Sequence, residues 1–168
     1  MEASVFLRPM TAEMYHAYCR EYENDPDLYI DKSKFVSYVY SPELADRYIQ
    51  RQTDLKRRWF AIMWGDEMVG ELILKNIEPR KCATLSICMK NGRCKDRGFG
   101  TRAEGLAIGY VFRHLDIPVL YADTILTNER SQHVLEKVGF RFLREEGDFR
   151  YYRIDRDPAC IGPEPVVE

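Results

Sequence analysis

The chain has 168 residues, of which 45% are hydrophobic, 12% aromatic and 31% charged, and its formal net charge is -2. That length can build one hydrophobic core burying roughly two-thirds of the unfolded surface, no apolar run approaches the ~20 residues that cross a bilayer, and the slight acidity disfavours the broad cationic surface of a nonspecific nucleic-acid binder. The expected chain has no membrane and no nucleic-acid partner. Met1-Glu2-Ala3-Ser4 shows no basic-then-apolar leader, which predicts a cytoplasmic protein. Cys19, Cys82, Cys88, Cys94 and Cys160 form no Cys-x-x-Cys pair and have no histidine at ligand spacing, so reduced thiols are expected, with neither a disulfide framework nor a metal site. Cys94 has basic neighbours, Arg93 and Lys95, that can lower a thiol pKa, but it reads as an exposed bystander and not as a catalytic thiol.

Residues 4–8 alternate as a short strand that Pro9 ends, and Thr11 is placed to cap a helix over about 12–23 with Glu13 in its first turn. Asn24-Asp25-Pro26-Asp27 breaks that helix, and a loop-like stretch leads to Ser41-Pro42-Glu43, which opens a second helix to about residue 53. Seven of the 11 tyrosines fall between Tyr15 and Tyr48. They read first as packing this helical region on a sheet and second as lining an acceptor pocket, where Tyr offers an apolar body and a polar tip. The runs 59–64 and 68–74, split by Gly65-Asp66-Glu67, form a hairpin, and 82–89 follows the turn at Pro79-Arg80 to complete a meander.

From Thr101 the period changes to 3.6, with Ala103, Leu106, Ala107, Tyr110, Val111 and His114 on one face. Residues 119–126 are a further strand, and the strand–helix–strand succession from 82 implies a right-handed crossover between parallel neighbours. Asn128 is placed to cap a helix whose Val134, Leu135 and Val138 face inward and which Gly139 stops. Residues 140–145 and 149–154 close the sheet as a hairpin around Gly147-Asp148. One domain over 1–155 is expected, followed by an irregular tail over 156–168 that carries Pro158, Gly162, Pro163 and Pro165.

The segment that carries chemistry is Lys95-Asp96-Arg97-Gly98-Phe99-Gly100. Two glycines one residue apart bring backbone N–H groups close to a ligand with no Cβ in the way, and the helix that follows adds its unpaired amides and positive dipole end. Lys90, Arg93, Lys95, Arg97 and Arg102 stand here against the single acid Asp96, so cationic charge gathers where a phosphate would sit. An ordinary tight turn is the simpler reading of two glycines, but this turn lies between a strand and a helix, which is where a phosphate cradle belongs.

Together with Asn128, Ser131, Glu136, Lys137, Gly139 and Phe140, this loop resembles the GNAT superfamily of acetyl-CoA-dependent N-acetyltransferases, and within it the RimJ/RimL-like type. Lys95, Gly98 and Gly100 match the family's Arg/Gln-x-x-Gly-x-Gly/Ala, with Lys in place of the usual first residue. The resemblance runs from about Leu7 to about Arg153. It implies an α+β GNAT fold: a mixed, mainly antiparallel twisted sheet, helices on both faces, and the parallel strands 82–89 and 119–126 splayed apart. It also implies acetyl-CoA as cosubstrate without a metal. Lys95, Asp96, Arg97, Gly98, Phe99, Gly100 and Thr101 would hold the pyrophosphate, Ile87, Cys88 and Met89 would pair with the pantetheine arm like an added strand, and Asn128 would reach the cofactor while capping its helix. Ser131 would lie by the sulfur as a donor to the leaving thiolate.

Two positions depart from the wider family. Leu135 stands where many members carry a tyrosine general acid, although the RimJ/RimL-like pattern also has an aliphatic residue there, and Thr84 stands where many carry a glutamate base. Glu71, inside an apolar strand, is the catalytic-base candidate, since partial burial raises a carboxyl toward neutral pH, although a solvated or ion-paired Glu would look the same in sequence. Asp123 and His133 are alternatives, with His133 expected on the surface. The expected acceptor is a primary amine, and an α-amine of a peptide N-terminus or small amino compound needs less proton removal than a lysine side chain. A non-catalytic acyl-CoA-binding sensor or interaction module on the same fold is the other reading, and the pattern leaves a homodimer open.

Overall fold

The structure, a computed structural model, describes residues 4–157. All seven strands join one sheet in the order β1-β2-β3-β4-β5-β7-β6, where β1 is Val5–Pro9, β2 Arg58–Trp64, β3 Glu67–Glu78, β4 Cys82–Met89, β5 Val119–Ile125, β6 Arg141–Glu146 and β7 Phe149–Asp155. Four helices, α1 Ala12–Glu21, α2 Pro42–Asp54, α3 Phe99–His114 and α4 Glu129–Lys137, pack on the two faces. The side-chain alternation of a strand separates those faces: on β2, Trp59 joins Tyr15, Tyr18 and Ala45 of α1 and α2, while Phe60 joins Ala103, Ala107, Val111 and Leu135 of α3 and α4. The expected α+β arrangement is therefore present.

The β4–β5 pair is parallel and short, running from Cys82 opposite Val119 to Leu85 opposite Ala122. Beyond it Ser86–Met89 stays bonded to β3 but leaves its other edge unpaired, so the sheet opens along its middle. Between β2 and β3 the register steps from Ile62–Gly70 to Met63–Met68, leaving Val69 as the extra residue of a bulge. Leu72 and Leu74 then stay on the α3 face, and Glu71 turns toward α1 and α2.

The caps follow the sequence. Thr11 accepts from the Met14 N–H at 3.2 Å, Ser41 from Leu44 at 3.3 Å and Asn128 from Ser131 at 3.1 Å. Several limits differ from expectation. Helix α1 ends at Glu21, β3 continues to Glu78 through a left-handed Asn76 (φ 52), and α3 begins at Phe99, two residues before Thr101, because Gly98 already serves as its cap. The stretch between α1 and α2 holds two 3₁₀ turns, Pro26–Leu28 and Lys32–Lys34. His114, placed on the inward face by periodicity, is exposed. Cys94 is buried within the 3₁₀ turn Gly92–Cys94, and burial pushes its thiol up, overriding Lys90 and Arg97, which favour a thiolate, so the exposed bystander is corrected to a core thiol. No described helix is long and apolar enough to cross a membrane. Cys160 and the expected irregular tail from residue 158 lie outside the described residues.

Gly70 tests how closely β3 and β4 approach. A Cβ there would stand 2.7 Å from the Cys88 carbonyl oxygen and 3.1 Å from Ile62 Cδ1. Gly70→Ala is expected to cost about 1–3 kcal/mol as overpacking, read from the midpoint of urea unfolding; an unchanged midpoint would contradict this packing.

Candidate cofactor and acceptor site

Helix α3 opens on Gly98, which adopts φ +77 and supplies no side-chain cap, and Asp96 before it is also left-handed at φ 57. The first helical bond runs from the Arg102 N–H to the Gly98 carbonyl at 3.1 Å. The N–H groups of Phe99, Gly100 and Thr101 therefore have no partner within the helix and point out of its positive end. They face a cleft of about 380 Å³ whose walls include Lys95, Asp96, Gly98, Phe99, Gly100 and Thr101 on one side and Ile87, Cys88 and Met89 of the unpaired β4 edge on another. Asn128, Arg130 and Ser131 at the start of α4 close it.

Ion pairs hold this mouth together. Lys95 bonds Asp25, Arg130 approaches the same Asp25 at 3.6 Å, and the Arg130 Nε–H donates to Asp96 at 3.0 Å. Burial works against the charge of Asp25, yet the Lys95 bond, the Asp27 amide and Arg130 hold its carboxyl below the usual range. The turn after α1, the glycine loop and α4 are thus tied at one place.

The cluster of cations read from sequence is largely spent elsewhere. Lys90 is buried, with its ammonium 2.7 Å from Glu21 and 3.4 Å from Glu67. Arg97 turns its guanidinium over the rings of Trp64 and Phe99, at 4.6 and 4.7 Å from their centroids, so of the loop residues expected at the cofactor its side chain is the one outside the cleft wall. Arg93 and Arg102 are exposed and also off the wall. The cations on the cleft wall are Lys95 and two residues the sequence pattern did not single out as cationic contacts, Arg130 and Lys137; Lys95 and Arg130 are paired with Asp25 and Asp96 there.

Glu71 lies behind the cleft wall, opposite Cys88 in the β3–β4 register and only 8% exposed. It is neither solvated nor paired with an arginine. The Trp59 Nε1–H donates to Oε2 at 2.8 Å and the Tyr48 hydroxyl to Oε1 at 3.3 Å. Burial dominates these two stabilising bonds and pushes the carboxyl up to about 7. Between Glu71 and the cleft stand Cys88, whose thiol donates to the Tyr22 hydroxyl at 3.7 Å, and Tyr22 itself; both line the cleft. Tyr15 stacks on Tyr18 and Tyr48 and meets Trp59 edge-on, so these rings chiefly pack α1 and α2, while Tyr22 also reaches the cleft.

Of the other candidate bases, Asp123 is 3.6 Å from the Lys75 ammonium, and His133 is exposed at the cleft rim. Leu135 is buried in the core. Among the described residues no group of three or more metal-ligating side chains is gathered. The acid that pattern reading passed over is Glu104 on α3, 1% exposed, whose Oε2 has no hydrogen-bond partner. Its position one residue from Ala103 on the buried stripe was the available signal.

The sequence matches the family described as the acetyltransferase (GNAT) domain over residues 4–141. The chain belongs to that family. It is therefore an acetyl-CoA-dependent acyltransferase, and the free α3 amides, the unpaired β4 edge and the orphaned carboxyl oxygen of Glu104 fit a phosphate-bearing, amide-rich cosubstrate. The spermidine N(1)-acetyltransferase of Escherichia coli K12 is 29% identical over 141 residues, covering 82% of this chain and 73% of that protein. Among solved structures, RimL, a ribosomal L7/L12 alpha-N-protein acetyltransferase in complex with coenzyme A, superimposes with a TM-score of 0.72 at 17% identity, covering 90% of this chain and 94% of that one. A spermidine N-acetyltransferase from Vibrio cholerae, in complex with CoA and spermine, gives 0.68 at 17% identity, covering 90% and 95%. These likenesses bear out the GNAT fold, with RimL as one structural neighbour beside polyamine enzymes.

The two buried acids of this GNAT domain give stability a definite pH slope. Burial raises Glu71 to about 7 and Glu104 to about 8 in the folded state, against about 4.3 for an unfolded Glu. Their contribution is complete below the unfolded value and is lost as pH rises through the folded ones. The melting temperature is expected to decline between pH about 5 and about 8, and Glu104→Gln should flatten that decline; parallel profiles for variant and wild type would contradict it.

Proposed function

We propose that this acetyltransferase moves the acetyl group of acetyl-CoA to a primary amine, and that the amine is an α-amine of a peptide N-terminus or of a small amino compound, as in the RimJ/RimL-like type. The observation that carries the reading is the continuity of the cradle at Gly98–Gly100 with the unpaired edge of β4, beside Cys88 and its neighbour Glu71. An extended arm held at the cradle by its phosphates would run along that edge and bring a thioester to where β4 and β5 part.

In the reaction the amine nitrogen attacks the thioester carbonyl carbon, the new C–N bond forms and the C–S bond breaks. The amine proton must leave before or during attack. Glu71, with its pKa near neutrality, is suited to take it through water, since Cys88 and Tyr22 separate it from the cleft. A β4 backbone amide polarises the thioester carbonyl, and the Ser131 hydroxyl donates a hydrogen bond to the departing thiolate.

The acceptor choice rests on proton chemistry. An α-amine with pKa about 7.7–8.0 is free to roughly one part in ten at pH about 7, whereas a lysine of about 10.4 is free to less than about one part in a thousand. A single base set behind the wall suits the easier proton. The relative named for spermidine supports a primary amine of a different kind, so a direct comparison is needed. With acetyl-CoA and equal amounts of spermidine, a lysine-blocked peptide with a free N-terminus, and an N-blocked peptide with a free lysine, intact mass should show acetylation chiefly on the free N-terminus. Preferential modification of spermidine or lysine would contradict the acceptor assignment, and no thiol release from any member of a broad amine panel would favour a non-catalytic binding module.

Ser131→Ala should lower kcat by roughly tenfold with little change in acetyl-CoA Kd, because a donor to a developing charge acts mainly in the transition state. An unchanged kcat would assign Ser131 to the helix terminus alone.

A further inference from the structure

Glu104 follows Gly100 by four residues on α3, so the two share a helix face one turn, about 5.4 Å, apart. Both line the cleft. Glu104 also lines the adjoining gap where β4 and β5 separate, with Ser86 and Ile87 on one side, Thr124 and Ile125 on the other, and Ser131 at its end. It therefore stands between the phosphate cradle and the opening of the sheet.

Among the described residues, one of its oxygens is left unsatisfied. Its Oε2 is fully buried without a hydrogen-bond partner, and the nearby Asn128 Oδ1 already accepts from the Ser131 N–H at 3.1 Å. Leaving a buried polar group unpaired costs free energy, and such groups in folded proteins call for a ligand or an ordered water. Burial raises this carboxyl to about 8, so at neutral pH it is mainly the un-ionised acid, which presents one O–H donor beside one carbonyl acceptor. A secondary amide can meet this carboxyl at one point: in a trans amide the C=O and N–H lie on opposite sides, so either its C=O accepts from the acid O–H or its N–H donates to the orphaned oxygen.

We propose that Glu104 is a further cofactor contact, its carboxyl pairing with a secondary amide of the pantetheine arm as the arm passes from the Gly98–Gly100 cradle to the gap between β4 and β5. The contact measures off the arm from the phosphates and sets the register at which the thioester reaches Cys88 and Ser131. It rests on the reading of the glycine loop as the phosphate site.

The test compares two probes on wild type, Glu104→Gln and Glu104→Leu. Acetyl-CoA carries the arm, and 3′-phosphoadenosine 5′-diphosphate keeps the phosphates and lacks it. Loss of the hydrogen bond should weaken acetyl-CoA binding to Glu104→Leu by about tenfold and leave the nucleotide unaffected, while Glu104→Gln, which keeps a donor and an acceptor, should bind both within about threefold of wild type. Wild-type acetyl-CoA affinity in Glu104→Leu would overturn the proposal and leave the carboxyl to a water, as would equal weakening of both probes. If wild type binds neither probe, the cradle reading falls and the proposal with it. Should Glu104→Leu not fold, infrared difference spectra decide: acetyl-CoA should shift a protonated-carboxyl band in wild type that is absent from Glu104→Gln, and no such shift would overturn the assignment.

Discussion

The loss of pairing between β4 and β5 after Leu85 and Ala122 is the constraint on which the site depends. Strand edges with free N–H and C=O groups are costly to leave inside a fold. Here the free edge of Ser86–Met89 forms one wall of a cleft, and α3 and α4 supply the others. Parallel strands need a crossover, that crossover is α3, and its N-terminus consequently opens beside the place where the strands separate. A sheet paired along the whole length of β4 and β5 would leave the glycine loop on a closed surface.

The second determinant is the division of labour among charges. The loop before α3 holds its shape because Lys95 and Arg130 converge on Asp25, while Arg130 also bonds Asp96. Lys90, which looks like part of the same basic run, ties the end of β4 to α1 through Glu21 and to β3 through Glu67. Much of the basic segment thus builds the cradle, and the helix amides with Lys137 on the cleft wall remain to meet a ligand. On the other face the Val69 bulge and the packed rings of Tyr15, Tyr48 and Trp59 place Glu71 where it is both dry and hydrogen-bonded. Those opposing influences bring its pKa near neutrality.

Sequence pattern carried the architecture well because its signals are local. Strand alternation, the Gly65 and Gly147 turns, the caps at Thr11, Ser41 and Asn128, and the shift to helical period all act within a few residues. The glycine loop was legible for the same reason, and its position between β4 and α3 follows from order along the chain. What was not legible depends on partners far away in sequence. Lys90 meets Glu21 and Lys95 meets Asp25, each about seventy positions distant, so a run of cations could not reveal which of them were free. Cys94 looked exposed from its neighbours because nothing in Arg93 or Lys95 reports that the 3₁₀ turn folds inward. Glu104 interrupts an apolar stripe, a local signal, but its meaning appears only when β4, β5 and α4 surround it.

The central claim is that the α3 terminus and the β4 edge form one acetyl-CoA site. Isothermal titration of wild type and Gly100→Val with acetyl-CoA tests it most directly. A Cβ at Gly100 would lie 4.0 Å from Ile87 Cδ1 across the cleft, so the added branches of valine reach into the space between the two walls and crowd the exposed amides. One saturable site per chain in wild type, abolished in a Gly100→Val protein that still melts cooperatively, is the predicted result; equal acetyl-CoA affinity in the two proteins, or no binding by wild type, would contradict the account.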